Sequence, residues 1–535
     1  MKSRHLIGSL AGALLTAAML MTDPAAASAK HMPVVTTTDG AVRGVVTDGV
    51  AAYLGIPYAK PPVGPLRWRA PEAPVSWKGV RDASHFGANC YQGPGIAFGP
   101  YTAEFMISGP VSENCLFLNV WTPERRSGEL PVYVFIHGGG FGSGSGSIPI
   151  YNGTHLADKG VVVVTINYRL GVFGFLALPE LTKESRTGSS GNYGMEDIIA
   201  ALKWVHANIA RFGGNPQRVT VSGQSAGAAA VNFLLVSKPA KGLFERAIAE
   251  SGSGMGIFTP TLQQAERIGL DFERRAGASS LSELRAESAA KLMRASFVAP
   301  PKKGPSAGLP PIVFAPNVDG SVVAVDPTAG ALLQSDVPLL TGFNYDEGQL
   351  WGKEKVTPEQ FEVLVRKQFG KFAGRILAVY PHASLQEASD SAATLARDRY
   401  MASLLIFSDE RAASSGEPVF DYLFDHAYPV PDAAKWGSFH TAEVPYVFGA
   451  LKQKGRVFTA KDHEISTQLQ RYWINFMRTG NPNGPGVARW PRAGRMQTQV
   501  MGLGNRVGAR PAVSTPERLR VLRNFVAHGG KLSLF

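Results

Sequence analysis

The sequence predicts an α/β fold, a mostly parallel central sheet with helices on both faces. Three observations lead there. Short, almost uninterrupted apolar runs recur at Val132 to Ile136, Val161 to Ile166, Val219 to Ser222, Val337 to Thr341 and Val419 to Phe424, the pattern of strands buried on both faces. Stretches of helical composition such as Met195 to Ala210 lie between them, and this alternation is that of parallel strands joined by helical crossovers. A chain of 535 residues, 44% hydrophobic and only 18% charged, can enclose a large core, which excludes a disordered polymer.

In chain order, the first segment is MKSRHLIGSLAGALLTAAMLMTDPAAASAK. Its basic head (Lys2, Arg4), apolar stretch from Leu6 to Met21 and small residues Ala27 and Ala29 read as a signal peptide over residues 1–29. Residues 30–535 are then the mature domain, expected to be secreted or periplasmic and to have no transmembrane segment once the signal is removed. The two cysteines, Cys90 and Cys115, stand 25 positions apart and suit a disulfide in an oxidising compartment.

The run Val132 to Ile136 leads directly into HGGGFGSG, His137 to Gly144. A glycine-rich turn after a strand can bring successive backbone N–H groups close to a developing oxyanion. It is a poor phosphate loop, because no Gly-Lys-Ser/Thr follows. After Val161 to Ile166 and the helical stretch Met195 to Ala210 comes VTVSGQSAGAAA. The pattern Gly-x-Ser-x-Gly occurs here and again in GPSAG, Gly304 to Gly308. Ser225 has a strand before it and good helix material after it, which makes a nucleophile elbow. Ser306 has Pro305 before it and Pro310 and Pro311 after it, so it is read as loop.

A serine hydroxyl needs a base, and the base needs an orienting acid. On a sheet of this kind the order is serine, acid, histidine, each at a strand end. TGFNYDEG, after Val337 to Thr341, offers adjacent Asp346 and Glu347. Beyond the last strand the histidines are His426, His440, His463 and His528; six others precede Ser225, and His382 falls in a helical insertion. The segments from about 255 to 335 and from about 350 to 415 are richer in helix formers and charge, and are expected as insertions that wall or cover a site.

Charge is uneven. Residues 451–535 hold 15 Lys plus Arg against three Asp plus Glu, which accounts for the whole net +12. The arginines are spaced out, as on a solvated face, so nucleic acid is not expected as a partner. No clustered His/Cys/Asp pattern suggests a metal. Asn152-Gly153-Thr154 fits a glycosylation acceptor but reads better as a surface turn.

Many segments in order carry a family resemblance: LGIPYAKPPVGPLRW, ENCLFLNVWTP, HGGGF, INYRLGVFGF, GNYGMEDIIAALKWVHANIARFGGNPQRVTVSGQSAG, ESGS, FNYDEG, FHTAEVPYVFG and TGNPNGP. The chain resembles a bacterial secreted type-B carboxylesterase, in the cholinesterase-like branch of the α/β-hydrolases. The resemblance implies an α/β-hydrolase fold with helical insertions around an active-site gorge. It implies Ser225 as nucleophile, Glu347 rather than Asp346 as acid, and His440 as base. It also implies Gly139, Gly140 and Ala226 as oxyanion donors, Ser251 as a serine near the triad, and no cofactor.

The function expected is hydrolysis of a small-molecule ester through an acyl-enzyme. A cholinesterase-like binding protein without catalysis is the alternative, and it is disfavoured by the complete Ser, Glu, His order. Three departures from the family bear on substrate. No tryptophan lies between Cys90 and Cys115, where cholinesterases hold a quaternary ammonium by cation–π contact. Asn114 replaces an aspartate that the family often has before the cysteine. Gln224 stands where the family's elbow usually carries glutamate, which removes a negative charge beside the nucleophile and favours acidic esters, such as polycarboxylic side chains of the fumonisin type. Trp436, Phe439, Phe141 and Phe343 flank the motifs and could line a pocket or fill the core.

Overall fold

The computed structural model describes residues 32–125, 128–254, 259–299, 311–327, 333–349 and 355–532. The signal segment and the Ser306 motif lie outside them. Eleven strands form the main sheet. In chain order they are β1 (Val45–Thr47), β2 (Val50–Pro57), β3 (Phe117–Pro123), β4 (Leu130–Ile136), β5 (Val162–Ile166), β6 (Gly214–Gln224), β7 (Arg246–Glu250), β8 (Leu339–Asn344), β9 (Val419–Phe424), β10 (Gln499–Leu503) and β11 (Gly508–Pro511). Their order across the sheet is β11-β10-β9-β8-β7-β6-β4-β5-β3-β2-β1. From β5 to β10 every pairing is parallel, and the flanking strands pair antiparallel.

Side-chain alternation along β4 shows why helices are needed on both faces. Val132, Val134 and Ile136 join a core with α1 (Tyr193–Asn208) and α2 (Ala226–Leu235), through residues such as Ile198, Leu202 and Val231. Tyr133 and Phe135 point the other way, into a core with Leu469, Trp473 and Phe476. These belong to the long helix Ala460–Thr479. Each face of a buried parallel strand is thereby covered.

All five expected strands are present, Val419–Phe424 with the expected ends and the other four with shifted ones. The run expected at Val337 to Thr341 forms as Leu339–Asn344, since Pro338 has no N–H to give the ladder and Phe343 and Asn344 pair with Leu423 and Phe424. The helix expected at Met195 to Ala210 spans Tyr193–Asn208 and tightens into a 3₁₀ turn, Ile209–Phe212. Strand β7 escaped the sequence reading because its apolar centre is only Ala247-Ile248-Ala249 between charged ends.

Where they are described, the two segments expected as insertions reach the turns that follow β4 and β8. Ile312 is half exposed and lies 3.5 Å from where a Cβ on Gly140 would sit. The helix Leu385–Ser414 presents Tyr400, whose hydroxyl donates to the carbonyls of Asn344 (2.7 Å) and Tyr345 (2.9 Å) beside the acidic motif. Cys90 and Cys115 form a buried disulfide with Cα atoms 4.8 Å apart. Asn152 is exposed and closes a turn by accepting from the Thr154 N–H, as a surface turn should.

Candidate active site

Strand β6 and helix α2 meet at Ser225, whose backbone is left-handed at φ 57°. A non-glycine residue there is strained and is held by its surroundings. Its N–H donates to the Glu250 carbonyl at 2.9 Å. The flanking glycines are dictated by close approach: a Cβ on Gly223 would come 2.4 Å from Gly227 backbone atoms, and one on Gly227 would come 2.0 Å from the Ile136 carbonyl oxygen. The elbow is therefore wedged against the end of β4, where the glycine-rich turn begins.

That turn bends through Gly139 (φ 108°) and Gly140 (φ 61°). The Gly139 carbonyl accepts from Gly142 and Ser143. Among the described residues the N–H groups of Gly139, Gly140 and Ala226 donate to no protein acceptor. Ala226 opens α2, so its N–H belongs to the unpaired, positive end of a helix. His137, which starts the turn, is a fixed part of it: its ring stacks on Tyr168 at 4.5 Å, Nδ1 donates to Gly138 O at 2.8 Å, and burial lowers its pKa to about 4.

Adjacent Asp346 and Glu347 are separated by geometry. Glu347 is buried; it accepts from the Asn344 N–H (2.6 Å), the Ser251 hydroxyl (3.1 Å) and, at very short range, His440 Nδ1. Asp346 instead accepts from the Ser438 N–H at 3.0 Å, while its own N–H donates to Ser438 O. Through Ser438 it ties the histidine loop in place.

The histidines divide in the same way. His440 is nine-tenths buried, and Tyr101 donates to its backbone carbonyl at 3.0 Å. His426 bonds Asp462 and Asn505, and His528 and His382 bond backbone carbonyls of their own neighbourhoods. His463 lies on the exposed side of the helix Ala460–Thr479.

Gln224 reaches the other ring nitrogen: its amide Nε2 is 3.2 Å from His440 Nε2. With Nδ1 donating to Glu347, Nε2 carries the lone pair, and the amide N–H is its donor. Gly138 must be glycine here, because a Cβ would lie 2.7 Å from Gln224 O and 3.0 Å from its Oε1. Phe141, Phe343 and Phe439 are core residues, while Trp436 is only half-buried and lies against Gly99. Sequence reasoning gave no role to Asn344, Glu250 and Glu443, although they stand inside the FNYDEG, ESGS and FHTAEVPYVFG motifs, and it missed Tyr101, which comes from a distant segment. Among the described residues no group of three or more His, Cys, Asp or Glu could hold a metal ion, and no helix is long and apolar enough to cross a membrane.

Comparison with known proteins points to one family. Residues 31–518 match the carboxylesterase family. The chain is 37% identical over 493 residues to a fumonisin B1 esterase of Sphingopyxis macrogoltabida, spanning 88% of this chain and 86% of that protein. It is equally 37% identical over 475 residues to the para-nitrobenzyl esterase of Bacillus subtilis strain 168, spanning 86% and 92%. A solved PNB esterase structure superimposes with a TM-score of 0.77 at 32% identity, covering 92% of this chain and 99% of the other.

Proposed function

The chain belongs to the carboxylesterase family and is an enzyme that hydrolyses carboxylic esters; we propose that it does so through Ser225, His440 and Glu347. The observation that carries this reading is the hydrogen bond from His440 Nδ1 to a Glu347 carboxylate already fixed by Asn344 and Ser251, beside a strained serine elbow.

Ser225 Oγ attacks the ester carbonyl carbon as His440 Nε2 takes its proton. Glu347 accepts from Nδ1 throughout, holding the tautomer and stabilising the imidazolium. The N–H groups of Gly139, Gly140 and Ala226 donate to the oxyanion, a contribution of roughly 3 kcal/mol per donor. Collapse of the tetrahedral intermediate breaks the ester C–O bond, and His440 returns its proton to the leaving alcohol. Water, deprotonated by His440, then attacks the acyl carbonyl carbon; the bond to Ser225 Oγ breaks, His440 returns the proton to that oxygen, and the acid is released.

Within this activity the substrate class is that of esters with acidic acyl groups. Gln224 is neutral at a position 3.2 Å from the base, so it adds no charge to repel a carboxylated acyl group. A relative named as a fumonisin B1 esterase supports the same class. The test compares kcat/KM on polycarboxylate and neutral acyl esters of one alcohol. Preference for the polycarboxylate supports the assignment, and a tenfold or greater preference for the neutral ester rejects it. The N-terminal segment adds export to the proposal: N-terminal sequencing of the exported enzyme should start at Lys30, and an exported enzyme that keeps residues 1–29 would reject it.

A further inference from the structure

Two buried carboxyls beside the triad have no part in this reaction. Glu250 ends β7, and its backbone carbonyl receives the Ser225 N–H. Its Oε1 accepts from Trp473 Nε1 at 2.8 Å, while Oε2 is buried without a donor. Glu443, three residues after His440, repeats the arrangement: Oε2 accepts from Asn344 Nδ2, and Oε1 is buried without a donor. Both residues are fully buried, and Glu443 is close enough to act on Glu250 electrostatically.

The groups facing them offer no cation to hold two charges. Glu347 and His440 act on Glu443; the hydroxyls of Tyr133, Tyr151 and Tyr422 face both carboxyls, and that of Tyr101 faces Glu443. No Lys or Arg is among the charges acting on either one in the described residues. With Glu347, two more carboxylates would make three negative charges around one imidazole. Buried charge without a partner is costly, and adjacent acids relieve it by sharing a proton.

We propose that Glu250 Oε2 and Glu443 Oε1 face each other across one shared proton, a carboxyl–carboxylate bond that fastens the His440 loop to the strand behind the nucleophile. Both orphaned oxygens are then satisfied by one hydrogen. The direction of titration agrees. Burial, and then the charge of Glu443, hold Glu250 well above the usual carboxyl range, and burial, and then the charge of Glu347, push Glu443 up to about 7.

The sign of the consequence is fixed. A folded-state pKa above the unfolded value of about 4.3 means that the folded protein holds an extra proton. The stability this confers is full below the unfolded pKa and is lost as pH rises through the folded one. Glu443 is thus a positioning residue for the base, and loss of the shared proton frees the loop and lowers turnover at alkaline pH.

The effect on turnover rests on the proposed triad, but the proton itself does not, and the test separates them. Infrared difference spectra of wild type against Glu443→Gln and Glu250→Gln at neutral pH should show the carbonyl stretch of a protonated carboxylic acid in the wild type only. Its absence from the wild type overturns the proposal, whatever the triad does. In kcat/KM profiles, Glu443→Gln, whose amide can donate to Glu250 Oε2, should stay within about threefold of wild type at neutral pH and lose the wild-type alkaline decline. Glu443→Ala should lose about tenfold or more. An alkaline limb unchanged in Glu443→Gln would also overturn it.

Discussion

Replacing Gln224 with glutamate places a carboxylate 3.2 Å from the ring nitrogen that must act as base. At an effective dielectric of about 20, that separation corresponds to about 5 kcal/mol of attraction for the imidazolium. Burying the new carboxylate opposes this by several kcal/mol, which leaves a net effect of about 1 to 3 kcal/mol, or roughly 1 to 2 pH units. A nearby negative charge favours the protonated ring, and His440 is active as a base only when neutral. The acidic limb of kcat/KM against pH should therefore move upward by about 1 to 2 units. The assay is a pH profile on a neutral p-nitrophenyl ester, repeated on a carboxylated one. The carboxylated ester should lose about tenfold more than the neutral ester above the limb, because the added charge repels it. An acidic limb displaced by less than half a unit, with equal losses on both esters, would refute the reasoning about Gln224.

Two further perturbations follow from the geometry. Glu347→Gln keeps the size of the side chain but loses the acceptor for the imidazolium and permits the wrong tautomer, so kcat should fall by about 10³ to 10⁴ with KM little changed; single-turnover kinetics check it, and a fall below tenfold would contradict the acid's role. Removing the Cys90–Cys115 bridge by a double change to serine opens a loop closed over 25 residues, and a fall of about 3 kcal/mol in unfolding free energy is expected from urea titration.

The elbow was legible because its signals are local: an apolar run, two glycines and an alanine-rich continuation fall within one short window. The glycine-rich turn was legible for the same reason, since only glycine tolerates φ 108° at Gly139, where a Cβ would lie 2.2 Å from the Ser143 carbonyl oxygen. Neighbours with equal chemistry were harder to separate. Asp346 and Glu347 differ only in where the chain turns after β8, and no periodicity encodes that one meets Ser438 and the other His440. The supports of the site were not legible at all. Glu250 and Trp473 are 223 positions apart, and Tyr101 and His440 are 339 apart, so only the assembled sheet brings them together. Strand β7 was hidden by its charged ends, one of which is buried for a reason that no local pattern carries.

Ser225 as nucleophile is the central assignment, and Ser225→Ala tests it most directly. The variant removes one oxygen from a partly exposed side chain, so its thermal melt should match wild type within a few degrees. Hydrolysis of a p-nitrophenyl ester should fall by about 10⁴-fold or more, and a phosphonate probe that adds mass to the wild type should add none to the variant. Retained hydrolysis, or probe addition elsewhere on the chain with the same rate, would contradict the assignment.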